Sequence, residues 1–350
     1  MAERYAADRL VDFAQALFER AGLEQEMAAT TAALLVEADL MGHNTHGLKQ
    51  AGDYLEEIEA GRTTRSGAPN VIADQGPVVT WDGRYLPGVW LTAQALDTAI
   101  ERAKTLGMAA IAIRRSAHIG CLAAYLPRAT DRGCMAIIAS SDPSDASVAP
   151  FGGIDPLFTP NPIAAGIPTE GDPILVDISA SISTNGMTNR YHTQGRKMPG
   201  PWALDTEGHA TDDPAVLFTD PPGTILPIGG TDHGHKGFGL ALIIEALTQG
   251  LGGFGRAEAP ADWGASVFVL VLDPEAFGGL PAFRRQTQWL AQASRDNQPA
   301  PGVDRVRLPG DGAMARKRAA LADGVELYPG IMDELAVWAD KLGVPMPGPR

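Results

Sequence analysis

Cysteine is scarce in this 350-residue chain, which has only Cys121 and Cys134. Two thiols at that spacing supply neither a disulfide framework nor a structural zinc site, so no bound metal is expected and a reducing, cytoplasmic setting fits. Cations are outnumbered, 28 Lys and Arg against 42 Asp and Glu, for a formal charge of −14. A surface of that sign argues against a nucleic-acid partner or an anionic membrane, and favours solubility. Long apolar runs are missing as well. The strongest, Leu240 to Leu247, contains Glu245 and stops at Gly250, short of the ~20 residues a membrane helix needs. The first residues lead straight into an amphipathic pattern without a basic stretch and apolar core, so no signal peptide is expected.

What is abundant is glycine (40) and proline (27), which predicts many turns between short elements. Leu10, Phe13, Ala14, Leu17 and Phe18 share one helical face, closed by Gly22. Met27, Thr31, Leu34, Leu35 and Ala38 repeat the pattern until Gly42 breaks it, and a third helix runs from about Leu48 to Ala60. Near Ala68 the texture changes. Val78 to Trp81, Ala109 to Ile113, Met135 to Ala139, Ile174 to Val176 and Ser266 to Leu272 read as strands. A helix from about Leu91 to Leu106 separates the first two, and Pro150 to Pro168 reads as turn-rich. Phe283 to Ala293, Gly312 to Leu321 and Met332 to Leu342 are helical again. The order is helices, a mixed αβ middle, then helices, with no internal repeat.

Gly250-Leu251-Gly252-Gly253-Phe254-Gly255 spells the dinucleotide fingerprint GxGxxG. That motif works after a strand and opening a helix, where free N–H groups meet a pyrophosphate. Here it follows a helix, Gly239 to Gln249, and reads as a helix stop. Five other segments carry chemistry. Thr45-His46-Gly47 lies where an apolar helix gives way to a turn, and its imidazole can exchange a proton at cellular pH. His118-Ile119-Gly120 follows a strand. For either His alone, a backbone hydrogen bond is the plainer explanation. Pro150 to Gly153 with Thr159-Pro160-Asn161-Pro162 makes a restrained loop whose Asn161 offers both a donor and an acceptor. Asp177-Ile178-Ser179-Ala180-Ser181 places small hydroxyls beyond a strand, suited to a phosphate or ribose, or to a simple cap. In His233-Gly234-His235-Lys236-Gly237 a lysine among glycines at a helix start favours anion binding.

Together these segments resemble the malate/L-lactate dehydrogenase-like family of type-2 2-oxoacid reductases. The Ser-His-Gly of that family appears as Thr45-His46-Gly47, its His-x-Gly with a following Tyr as His118, Gly120 and Tyr125, and its Pro-Phe-Gly-Gly as Pro150 to Gly153. Its Thr-Asn-Pro is matched by Thr159-Pro160-Asn161-Pro162, its Asp-Met-Ala-Thr-Ser by Asp177 to Ser181, and its Lys-Gly-Tyr-Gly-Leu by Lys236 to Leu240. Pro199, Trp202, Ala203, Asp205 and Gly208 match a further element, and Leu308-Pro309-Gly310 a late Leu-Pro-Gly. The match runs in order along nearly the whole chain.

The resemblance implies an α/β (α+β) fold: a non-Rossmann NAD(P)-binding central αβ domain, residues 71–279, and a mainly helical domain from both chain ends, 1–70 with 280–350. It implies a homodimer and NAD or NADP as cofactor, contacted by His118, Gly120, Ser141, Pro173, Asp177, Ile178, Ser179, Ser181, His235, Lys236, Gly310, Asp311 and Gly312. It implies hydride transfer between a 2-oxo acid, or a cyclic 2-imino acid, and the 2-hydroxy or amino acid. His46, oriented by Thr45, is the proton donor on this reading, with His118 positioning the substrate or taking the proton role instead. Lys49, Gln50, Asn161 and Arg190 are the substrate-binding candidates. The usual Arg after the Ser-His-Gly is Gln50 here, which makes no charged bidentate pair, and Asn185 replaces a second frequent Arg. A plain lactate or malate substrate is therefore not expected; the acid is larger, an imine, or anchored by Arg190 or Arg196. Two other readings stand beside this one. One is a metal-dependent hydrolase using His43, His46, His233 and His235, for which no HExxH spacing speaks. The other is a cofactor-binding protein without activity.

Overall fold

In the computed structural model, which describes residues 3–350, Leu10, Phe13, Ala14, Leu17 and Phe18 are buried along one face of α1 (Ala7–Arg20), as their spacing predicts. The next helix, α2 (Gln25–Met41), is buried on two sides. Leu34, Ala38 and Met41 face a sheet, whereas Ala28, Ala32 and Leu35 face other helices. Helix α3 (Lys49–Glu59) follows one turn later.

The middle of the chain forms β1 (Asn70–Asp74), β2 (Val78–Asp82), α4 (Gly88–Leu106), β3 (Met108–Ser116), the short α5 (Leu126–Thr130), β4 (Met135–Ser141), β5 (Pro162–Ile167), β6 (Ile174–Ser179) and α6 (Asn185–Thr193). Three two-residue strands, β7 (Ala203–Leu204), β8 (Ala210–Thr211) and β9 (Thr224–Ile225), make a small sheet. Then come α7 (Gly230–His233), α8 (His235–Glu245), β10 (Ala265–Leu272), α9 (Leu280–Arg295), α10 (Asp311–Asp323) and α11 (Ile331–Leu342).

The main sheet runs β1-β2-β3-β10-β4-β5-β6. Only β2 and β3 pair in parallel, with α4 as their crossover; every other pair is antiparallel. Strands β3, β4 and β6 therefore point the same way and end on one side of the sheet, where β10 begins opposite Ser116 and Ser141. Ile111, Ile113, Val267 and Val269 pack toward α4, while Ala139 and Phe268 alternate toward Ala241 and Ile244 of α8. Covering both faces is why these strands read as short, nearly continuous apolar runs.

Strand β5 corrects the turn-rich reading of 150–168. Pro162 opens it, a position where the missing N–H is tolerated, and Ala164 and Gly166 pair with Ile138 and Ala136. Strand β1, helix α6 and the small sheet also lack a sequence signal strong enough to have been expected. Segment 250–255 follows α8 and a π turn rather than a strand.

The chain ends meet. Tyr5 N–H donates to Val325 O at 2.9 Å and Val325 N–H to Tyr5 O at 2.8 Å. Ile331, Leu335 and Ala339 of α11 join Leu10, Leu17 and Leu55 in one helical core. Helix α9 lies instead at the turn between β5 and β6, with Thr287 Oγ1 donating to Pro168 O at 2.8 Å.

Candidate active site

Helix α2 stops at Gly42, whose left-handed φ of 85° lets His43 N–H reach back to Ala38 O at 2.8 Å. The turn into α3 is braced from below by Asp39, whose Oδ2 accepts the Leu48 N–H at 2.7 Å. A Cβ on Gly47 would lie 2.4 Å from the Asp39 carboxylate, so the turn needs glycine there. This turn presents His43, Thr45, His46 and Gln50 to a cleft of about 710 Å³. Thr45 Oγ1 lies 2.8 Å from His46 Nδ1, and Gln50 Nε2 donates to Thr45 O at 3.0 Å.

His118 enters the cleft from the loop after β3, which the Tyr125 hydroxyl ties down by donating to Ile119 O. Tyr54 Oη lies 2.8 Å from His118 Nδ1, and the Gly120 N–H donates to the same nitrogen at 3.4 Å. The Trp263 ring stacks on His118 with centroids 4.9 Å apart and planes 20° apart. The His46 and His118 rings are 6.0 Å apart, centroid to centroid. Burial, reinforced by His43, pushes His46 down to about 4. Burial, reinforced by His46, pushes His118 down to about 3. Both imidazoles are thus held neutral in the resting protein.

The opposite wall is the end of β6. Asp177 Oδ2 accepts the Ala123 N–H at 2.9 Å and the Cys121 thiol at 3.7 Å. Ligand atoms of His43, Cys121 and Asp177 lie within 4.8 Å of one another. Burial raises the Asp177 carboxyl and the Cys121 thiol and lowers His43. Ile178, Ser179 and Ser181 continue this wall, and Gly120 and Ser141 line the cleft beside it. Among the described residues lining the cleft there is no Lys or Arg. A cleft at the carboxyl ends of several strands is where open αβ sheets bind ligands.

Comparison with known proteins agrees. A family model described as malate/L-lactate dehydrogenase matches residues 5–336. The chain belongs to that family. It is 32% identical to the (2R)-3-sulfolactate dehydrogenase (NADP(+)) of Chromohalobacter salexigens over 93% of this chain and 95% of that protein. It is 30% identical to the ureidoglycolate dehydrogenase (NAD(+)) of Escherichia coli O157:H7 over 90% of each. Among solved structures, malate dehydrogenase from Entamoeba histolytica superposes with a TM-score of 0.93 at 25% identity, covering 99% of this chain and 100% of that one.

The family motifs do not all converge on the cleft. Lys49 turns away and pairs with Glu334 at 2.9 Å. Arg190 bonds Asn44 Oδ1 at 3.0 Å and lies over the Tyr328 ring, at the edge of the His46 turn. Asn161, expected to bind substrate, is fully buried with φ +48°, a conformation Asn tolerates. Its side chain is taken up by Thr159 and Glu245, so it shapes the loop and does not reach the cleft. Ser141 bonds Thr248 and Gln249. Gly310 packs against Leu175 and Asp311 pairs with Arg295 at 2.7 Å, so Gly310 to Gly312, like Pro173, sit at the base of β6. His235 and Lys236 are exposed at the start of α8, outside the cleft lining. Gly237 is glycine because a Cβ would lie 2.6 Å from Ala180 O. With His233 and His235 outside the lining, the four-histidine cluster of the hydrolase reading does not assemble.

Sequence reasoning missed Tyr54, Trp263, Asp53 and Cys121. Tyr54 shares the apolar spacing of Leu55 and Ile58 on α3, and only its polar tip hints at another role. Trp263 sits in a loop of Asp, Gly and Pro just before an apolar strand, an aromatic with no periodic reason to be there.

Proposed function

We propose that this protein is an NAD(P)-dependent oxidoreductase that interconverts a 2-oxo acid, or a cyclic 2-imino acid, with its 2-hydroxy or amino counterpart. The observation that carries the reading is the pair His46 and His118, 6.0 Å apart and facing the end of β6 across one cleft. The donor set fits a dinucleotide. Ser179 supplies a half-buried hydroxyl and the loop after β6 supplies backbone at a strand end, while the Ser141 and Ser181 hydroxyls are buried and bonded within the protein. When bound, the nicotinamide supplies or accepts the hydride. His46 takes the hydroxyl proton in oxidation and returns it in reduction, with Thr45 holding its Nδ1, a contribution of about 10²–10⁴-fold. Arg190, which bonds Asn44 beside the His46 turn, takes the substrate carboxylate on this reading, and neutral Gln50 lines the cleft. The reading includes a helical part made of both chain ends, 1–70 with 280–350, and a central cofactor part. It also includes a homodimer, supported by Trp289 and Leu290, which stand 67% and 54% exposed on α9.

Titration with NADH and NADPH, followed by nicotinamide fluorescence, comes first, then a panel of 2-oxo acids and cyclic imino acids. Saturable binding and oxidation of the nicotinamide with one substrate are expected. Binding of neither dinucleotide overturns the reading.

A further inference from the structure

His46 and His118 carry the same side chain, but their Nδ1 atoms meet different partners. At His46 the partner is a hydroxyl, Thr45 Oγ1 at 2.8 Å, which rotates to donate or accept as the ring changes charge. At His118 one partner is the backbone N–H of Gly120, at 3.4 Å, which only donates. Nδ1 of His118 is therefore an acceptor, and the Tyr54 hydroxyl at 2.8 Å must donate to it as well. Burial pushes the Tyr54 phenol up, which keeps its proton in place for that bond. Trp263 stacked on one face opposes a turn of the ring that would exchange the two nitrogens. A proton added at Nδ1 would point at an amide hydrogen that cannot rotate away. A second positive charge 6.0 Å from His46 would also be repelled.

We infer that Tyr54 and the Gly120 amide lock His118 as the neutral tautomer with its proton on Nε2. His118 is then a fixed hydrogen-bond donor to the reacting oxygen or nitrogen, and His46 alone changes protonation. Tyr54 is a positioning residue that acts through His118. The role given to His46 rests on the oxidoreductase reading; the tautomer does not. The balance is simple. As a carbonyl is reduced, its carbon gains a hydride and its oxygen one proton. His46 gives that proton, passing from imidazolium to imidazole, while His118 keeps its own.

The test is nitrogen-15 NMR of the histidine rings in the full-length protein, with His118 assigned by its absence in His118→Gln. Nδ1 unprotonated and Nε2 protonated, with no titration between about pH 5 and about pH 8, is the expected result. A protonated Nδ1, or a His118 that titrates in that range, overturns the inference. In Tyr54→Phe, kcat falls about 10- to 100-fold with KM little changed, the range seen when a metal-bound histidine loses its outer hydrogen-bond partner. A second ionisation also enters the pH profile as His118 becomes free to protonate. A Tyr54→Phe enzyme with unchanged kcat and a single ionisation overturns the positioning role. Failure to turn over any oxo or imino acid overturns the functional reading, and with it the role of His46. A titrating His118 in an active enzyme overturns this inference alone.

Discussion

The turn at 42–48 brings His46 to the cleft, with His43 beside it, and the loop at 117–120 brings His118, and the two supports are built on opposite principles. The turn hangs between two helices and is braced by a single carboxylate, Asp39, with a glycine at 47 to let the brace come close. His46 there meets a rotatable hydroxyl. The loop is pinned by Tyr125 to its own backbone, and its histidine is held between a phenol, an amide and an indole face. Burial depresses both rings below the ordinary histidine range, yet the same burial serves different ends. Where the partner adapts, a depressed imidazole still accepts a proton transiently. Where the partner is a fixed donor, the imidazole is a neutral polar group aimed at the substrate. What a buried histidine does is set by the hydrogen bond on its far nitrogen, more than by its depth.

The largest effect that breaks or sharpens this comparison comes from replacing each histidine with glutamine. Glutamine keeps an N–H donor but neither gives up nor takes on a proton near neutral pH. His46→Gln is expected to lower kcat by about 10²–10⁴-fold, with dinucleotide affinity preserved. His118→Gln retains a neutral donor and is expected to lose only about 10-fold, far less than His118→Ala. Equal losses for the two glutamine variants, measured in steady-state kinetics, would erase the distinction drawn between them.

Much of this arrangement was legible in the sequence, for a physical reason. The His46 turn announces itself because an apolar helix must end at Gly42, and His118 because it follows a strand of continuous apolar residues. Both signals are local. What stayed hidden depends on pairing across long separations. Tyr54 and His118 are 64 positions apart, so the apolar spacing of α3 placed Tyr54 in the core and gave no notice that its hydroxyl meets an imidazole. Strand β5 hid because Pro160 and Pro162 look like turn residues, and only pairing with β4 shows that the segment is a strand. Asn161 was misjudged for a related reason. Its polarity suggested a ligand contact, but a left-handed backbone position inside the protein selects asparagine just as well.

Next in size is the steric claim at the turn. Gly47→Ala drives a methyl group into the Asp39 carboxylate, and is expected to destabilise the protein by about 1–3 kcal/mol and to misplace His46. Gly278→Ala, where a Cβ meets nothing within 4 Å and the backbone is not left-handed, is the control for a glycine replaced without a clash. Urea denaturation compares them, and a Gly47→Ala protein as stable as wild type would refute the brace.

The pH dependence follows from the shift of His46 to about 4. Oxidation needs the neutral ring, so its kcat/KM should rise as pH climbs through about 4 and then level off. Reduction needs the charged ring, so its kcat/KM should fall over the same range. Since His43 contributes to the depression, His43→Asn moves both inflections upward, by less than about one unit. An inflection that stays put, or moves down, contradicts the coupling.

The smallest expected effect isolates the brace beneath His46. Burial raises Asp39 to about 7 in the folded protein, with the Leu48 N–H opposing the shift. A folded carboxyl raised above its unfolded value stabilises the protein fully at low pH. That contribution is lost as pH rises from about 4 to about 7, because the unfolded chain releases the proton first. Asp39→Asn keeps an oxygen to accept the Leu48 N–H and has no proton to lose. Its melting temperature should therefore gain on wild type as pH rises through that window, and the gain should stop growing above about 7. Asp39→Ala leaves the Leu48 N–H without its partner and should cost about 1–3 kcal/mol at low pH, a deficit that shrinks as pH rises through the same window because this variant has no proton to lose either. If Asp39→Asn follows wild type in parallel across the window, Asp39 is ionised in the folded state. The support under His46 would then be a charge, as fixed in kind as the donors around His118.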